Sequence, residues 1–168
     1  ISLDATYTIE AWVKYDAASF PGGHRTIIEF GNDGPYFGVR NTGELELYNG
    51  AFAPAGSVPT QQWVHVAATA ESGVSKLYVN GQVVQTGTVP PSGWTGMGVG
   101  FNVGDNPWNG LIDDVRIWNV ARSQAEIAGA MDSELTGSEA GLEGYWTFGE
   151  ATGSTIDDQS GNGHNGTL

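Results

Sequence analysis

The sequence predicts an all-β fold of many short strands with one short helix, and three observations carry that reading. The stretch from Tyr7 to Tyr15 alternates, with Ile9, Ala11, Val13 and Tyr15 on one face and Thr8, Glu10, Trp12 and Lys14 on the other. Short apolar runs then recur along the chain, each bounded by Gly, Asn, Asp or Pro. Gly accounts for 26 of the 168 residues without any low-complexity run, so the glycines read as turns between strands. One domain over residues 1–168 is expected, because two domains of half that length would each be poorly stabilised.

After the first strand, the expected strands are residues 26–30, 36–40, 44–48, 63–70, 75–79, 82–85, 98–103, 111–118 and 144–148. Their spacing suits a sandwich or a barrel. Asn80-Gly81 separates Lys76-Leu77-Tyr78-Val79 from Gln82-Val83-Val84, the strongest local signal for a two-residue hairpin with a type I′ turn. Residues 123–131 read as the helix: Ser123 is placed to cap it, Glu126 stands three residues on, and Ile127 and Met131 form an apolar i, i+4 pair.

Charge narrows the partners. With 6 Lys+Arg against 19 Asp+Glu, the formal net charge of −13 repels phosphate backbones and anionic membranes and attracts divalent cations. Nucleic acid is excluded as the expected partner, and so is membrane insertion, since no run approaches the roughly 18 apolar residues that span a bilayer. The start, Ile1-Ser2-Leu3-Asp4, has neither a basic nor an apolar leader pattern, so any signal peptide or anchor is expected outside this sequence. With no Cys, disulfides and thiol-ligated metals do not arise.

Catalysis is not expected. Glu44-Leu45-Glu46 has the alternation for two carboxylates on one face, but Leu47-Tyr48-Asn49-Gly50 follows where a third acid would be needed, and an exposed strand face is the expected role. His24 falls in a Gly-rich turn, His65 in mid-strand and His164 in the tail, and no Ser sits in a Gly-x-Ser-x-Gly elbow. For Trp12, Trp63, Trp118 and Trp146, strand position predicts packing in the core or on a sheet face.

Several segments resemble, in order, the strands of laminin-G-like jelly rolls of the concanavalin A-like superfamily: Thr8-Ile-Glu-Ala-Trp-Val-Lys14, Gln62-Trp-Val-His-Val-Ala67, Lys76-Leu-Tyr-Val-Asn-Gly81 and Gly110-Leu-Ile-Asp-Asp-Val-Arg-Ile-Trp118 with Ala121-Arg-Ser123. The stretch Gly144-Tyr-Trp-Thr-Phe-Gly-Glu150 followed by Asp158-Gln-Ser-Gly-Asn-Gly163 is similar to one that recurs, often in tandem, in bacterial surface proteins. The resemblance implies a two-sheet antiparallel jelly-roll β-sandwich with one short helix, an extracellular or cell-surface setting, and neighbouring domains in a longer chain. It also implies ligand binding by rim loops or a concave face, though not one function.

Alternation over residues 111–118 puts Asp113 in phase with Leu111, Val115 and Ile117, an apolar face on which a carboxylate needs a cation or backbone N–H groups. Arg25, Arg40 or Arg122 could supply a salt bridge. Calcium, which takes about six to eight oxygen ligands, also suits an acidic, cysteine-free chain. The tail run Asp157-Asp-Gln-Ser-Gly-Asn-Gly163 offers closely spaced oxygens, and the resemblance favours Asp158 of its two aspartates. The expectation is one stabilising Ca2+ site formed by Asp113, Glu150 and Asp158, with Asp113 more important to stability than Asp114. The family pattern has Asp at the position of Glu150.

A second constellation is expected at one rim: Asp33, Asn49, Asp105, Asn106 and Trp108, with Tyr36 and Phe52 nearby. Trp108 lies outside any strand alternation, as a stacking platform for a pyranose would, although packing over the sandwich end is the alternative. The expected function is a calcium-dependent carbohydrate-binding, lectin-like module of an extracellular adhesin or secreted multidomain protein. The alternative is a structural or protein-interaction module with a purely stabilising calcium.

Overall fold

The computed structural model describes residues 1–16, 23–31, 36–48, 50–90, 93–101, 107–150 and 152–168. The described elements begin with β1 (Ser2–Leu3), β2 (Tyr7–Tyr15), β3 (His24–Phe30), β4 (Tyr36–Arg40), β5 (Leu45–Leu47) and β6 (Ala51–Phe52). Next come β7 (Trp63–Glu71), β8 (Val74–Val79), β9 (Gln82–Thr88), β10 (Trp94–Thr95), β11 (Met97–Val99) and β12 (Gly110–Trp118). Helix α1 (Gln124–Ala130) precedes β13 (Leu142–Trp146), β14 (Thr155–Ile156) and β15 (Gly166–Thr167).

A six-stranded antiparallel sheet, in the order β13-β12-β2-β7-β8-β9, packs on a five-stranded one in the order β11-β3-β4-β5-β6. This is the expected two-sheet jelly-roll sandwich with one short helix. Period-2 alternation sends Ile9, Ala11 and Val13 from β2 and Val64, Val66 and Ala68 from β7 inward, to meet Ile28, Phe37, Val39, Leu45 and Leu47 of the other sheet. The β8–β9 hairpin turns through Asn80 (φ 47°) and Gly81 (φ 72°), the pair of positive φ angles that a type I′ turn requires. A Cβ at position 81 would sit 2.7 Å from Ala128 Cβ, so that glycine also lets the helix approach the turn.

One expectation fails inside β12. A bulge interrupts its pairing with β2 between Asp113 and Arg116, and Asp114 takes φ 49° there. Asp113 lies opposite Trp12 and Arg116 opposite Glu10, both on the outer face, whereas Ile112 and Ile117 lie opposite the inward Val13 and Ile9. The extra residue changes the phase, so Asp113 is half-buried on the outer face instead of among the core side chains. Its Oδ1 accepts the Asp114 N–H at 2.8 Å. Asp114 is the more engaged of the two aspartates, accepting from the Tyr145 hydroxyl at 2.8 Å and lying 3.7 Å from the Arg116 Nη2.

The outer face of the six-stranded sheet is partly sealed by α1. Ser123 and Glu126 form the full capping box at its start, and Ile127 packs on Ala67 and Tyr78. The last turn contains no basic residue; Arg116, fully buried on the sheet beneath, instead donates to the carbonyls of Ala130 (3.0 Å) and Ser133 (2.7 Å). A cation there satisfies orphan carbonyls and complements the helix dipole. Trp12 Nε1 donates to the Met131 carbonyl at 2.8 Å, and Thr8 Oγ1 to that of Val120 at 2.7 Å. Buried Glu10 accepts from Arg122 Nη1 at 2.9 Å and lies 3.4 Å from His65 Nε2. Burial alone would raise the Glu10 pKa, but the His65 and Arg122 partners outweigh it and hold the carboxyl below its usual range.

Candidate functional site

The outer face of the five-stranded sheet has no such helix among the described residues, and its side chains are polar and aromatic. On β5, Leu45 and Leu47 point into the core, so Glu46 between them points out; on β4, Phe37 and Val39 point in and Tyr36, Gly38 and Arg40 point out. Register then sets Thr26, Gly38, Glu46 and Phe52 in one row across four strands. Because Gly38 has no side chain, the rings of His24 and Tyr36 meet across that row, stacked at 4.0 Å with an interplanar angle of 12°. A Cβ at position 38 would also fall 2.3 Å from the Arg25 carbonyl oxygen. Tyr48 continues the stack at 4.9 Å from Tyr36.

Glu46 is the centre of this arrangement, and its exposure is 0%, not that of a solvated strand face as the sequence suggests. Arg40 Nε lies 2.5 Å from its Oε2, while Glu44 Oε2 stands 3.8 Å from the same nitrogen. The Arg40 guanidinium also covers the Phe52 ring at 4.7 Å. Glu46 Oε1, Thr26 Oγ1 and His24 Nε2 have no hydrogen-bond partner among the described residues. Burial first, and then the nearby Glu46 carboxylate, push the Tyr36 phenol far above its ordinary value. Burial lowers the His24 pKa against the pull of Glu46, so the imidazole is neutral at neutral pH. His24 is therefore an ordered member of β3 and not a turn residue.

Around this buried polar centre stand accessible groups. Tyr48 is 40% and Phe52 42% exposed, and the Arg40 and Glu44 side chains are 43% and 30% exposed. Two aromatic rings, a guanidinium whose Nε alone is engaged among the described residues, and a carboxylate thus share one face. That combination offers apolar stacking surface beside paired hydrogen-bond donors and acceptors.

The sites named from sequence distribute differently. Asp33, Asn49, Asp105 and Asn106 lie outside the described residues. Trp108 is half-buried: its ring lies 5.5 Å from that of Tyr15, it packs on the core, and its Nε1 donates to the Leu111 carbonyl at 3.2 Å. Packing over the sandwich end, rather than display as a stacking platform, is what the structure shows for it.

Asp113, Glu150 and Asp158 are not brought together as one carboxylate cluster. Among the described residues, no three His, Asp or Glu side chains come together as a metal site. Asp158 Oδ1 accepts the N–H groups of Tyr145 (3.0 Å) and Ser160 (2.9 Å), and Oδ2 that of His164 (2.9 Å). Burial opposes its ionisation, but these hydrogen bonds prevail and hold its pKa low. Glu150 Oε1 accepts the Asp157 N–H at 2.9 Å. Asp158 and Glu150 thus use backbone N–H groups to fold the tail, the job that the sequence reading gave to a cation.

A family model described as the concanavalin A-like lectin/glucanases superfamily, of laminin-G type, matches residues 1–128. The chain belongs to this superfamily. A candidate carbohydrate-binding protein from Bacteroides ovatus is 25% identical, with a TM-score of 0.78 over 99% of this chain and 52% of its own. Domain 4 of AbnA, an extracellular arabinanase from Geobacillus stearothermophilus, solved with arabinotriose, is also 25% identical, with a TM-score of 0.57 over 77% of this chain and 67% of that domain chain. Mouse pappalysin-1 is 29% identical over 157 residues, and the match spans 76% of this chain but only 10% of that protein.

For this member of the superfamily, the sequence reading named Tyr36 and Phe52 as neighbours of the rim but did not place His24, Arg40, Glu46 or Tyr48 in the site. A signal existed: an acid flanked by two inward leucines on β5, beside a strand interrupted by Gly38.

Proposed function

We propose that the chain is a non-catalytic carbohydrate-binding module that takes glycan on the outer face of the five-stranded sheet. One observation carries this reading: exposed Tyr48 and Phe52 flank the Arg40–Glu44–Glu46 cluster on one sheet face. Pyranose and furanose rings present apolar C–H patches for stacking and hydroxyls for charged partners, and this face supplies both. Structural neighbours at 25% identity, one described as a candidate carbohydrate-binding protein and one solved with arabinotriose, support it. Glu44 and Glu46 both face Arg40, which argues against a free nucleophile and acid pair.

Calcium dependence is proposed on the strength of the net charge of −13 and of the oxygen ligands that the sequence offers, Asp33, Asn49, Asp105 and Asn106 among them. An extracellular adhesin or secreted multidomain setting is proposed likewise; no described helix is long and apolar enough to cross a membrane. The test is binding to an oligosaccharide array with and without EDTA, on the native chain and on Tyr48→Ala and Phe52→Ala. Glycan binding weakened in both variants supports the site. Binding unchanged in both refutes it, and binding insensitive to EDTA removes calcium from the account.

A further inference from the structure

We infer that this face selects neutral glycans, through a pair of adjacent hydroxyls placed between Arg40 and Glu44, and discriminates against sugars carrying carboxylate, sulfate or phosphate. The inference rests on the reading of this face as the glycan site. Among the described residues, Arg40 is the one cationic side chain on it, since Arg25 lies opposite the inward Val39 and is buried. Against that single cation stand Glu44 at 3.8 Å and Glu46 at 2.5 Å, and Glu29 shares the face opposite Tyr36. His24, neutral at neutral pH, adds no positive charge. An anionic substituent drawn to Arg40 would approach carboxylates that already neutralise it, within a chain of net charge −13.

The free hydrogen-bonding capacity of the cluster points the same way. Arg40 has its Nη donors unengaged among the described residues, and Glu44 presents acceptor oxygens at 30% exposure. A donor and an acceptor side by side match two neighbouring hydroxyls, one accepting and one donating; a carboxylate or sulfate, which only accepts, would leave Glu44 facing a like charge. Glu46 is a positioning residue beneath them: it holds Arg40 Nε and thereby fixes the direction of the guanidinium.

The experiment is calorimetric titration of the native chain with arabinotriose and other neutral oligosaccharides, and with uronate-containing and sialylated ones, at about 50 mM and about 500 mM salt. The expected result is binding of at least one neutral sugar, flat with salt, and binding of acidic sugars weaker by about tenfold or more. Glu44→Gln is expected to fold normally, to weaken the neutral sugar about threefold to tenfold, and to narrow the gap to acidic ones. Arg40→Lys, which keeps the charge and loses the fixed fork, is expected to weaken the neutral sugar while retaining the preference. Tighter binding of an acidic glycan that falls steeply with salt, and is lost in Tyr48→Ala, would overturn the selectivity and leave the site standing. No binding of either class would overturn the site itself.

Discussion

Arg40 and Glu46 form an unequal pair: the guanidinium side chain is 43% exposed, whereas the carboxylate 2.5 Å away has no exposed surface. Removing the exposed partner therefore strands the buried one. Arg40→Ala is expected to cost about 2–3 kcal/mol, less than for a wholly buried pair because water reaches the vacated side. Arg40→Ala with Glu46→Gln should recover part of the loss, and urea denaturation of the single and double variants would measure it.

Tyr48→Ala and Phe52→Ala are each expected to weaken glycan binding by about 1 kcal/mol, the scale of one lost stacking contact, with little change in melting temperature. A large melting shift in either variant would mean that the ring is structural.

Trp108→Ala should behave in the opposite way. Its indole packs on Tyr15 and the core, so the substitution is expected to cost about 2–3 kcal/mol of folding free energy, short of the value for full burial. Glycan affinity at saturating folded protein should be unchanged.

Arg116→Ala would leave the carbonyls of Ala130 and Ser133 without their charged donor and open a void beneath α1. A loss of about 3–5 kcal/mol is expected, with faster amide exchange in residues 124–130 before the global transition.

Asp158 links stability to acid. Its folded pKa lies below the ordinary carboxylate value, so its contribution is fully present above that value and is lost as pH falls through the folded pKa. Asp158→Asn should flatten that part of the acid unfolding curve and expose the amides of Tyr145, Ser160 and His164 to exchange. Any calcium affinity of the native chain should survive the substitution.

The fold was legible because its local rules agree: β2 and β4 have the expected ends, the Asn80-Gly81 turn has both positive φ angles, and α1 starts on its capping box. What failed depended on longer-range geometry. No pattern in residues 111–118 marks the bulge that turns Asp113 outward, since Asp114 is one of the few residue types that tolerate φ 49° and carries no other mark. Glu46 looked like a surface acid because its cover comes from Arg40 and Tyr36, on another strand. The tail acids resembled calcium ligands because a cation and a set of backbone N–H groups make the same demand on a carboxylate.

The bonds that tie β2 to the region of α1 join residues far apart in the chain: Thr8 to Val120, Glu10 to Arg122 and Trp12 to Met131, separations of 112, 112 and 119 residues. A ribosome delivers β2 long before any of these partners exists. Until residue 131 has emerged, Glu10 and Trp12 sit on a strand whose outer face cannot close, whatever has already paired at its edges. The order of synthesis thus puts the completion of this face of the second strand after the arrival of the helix.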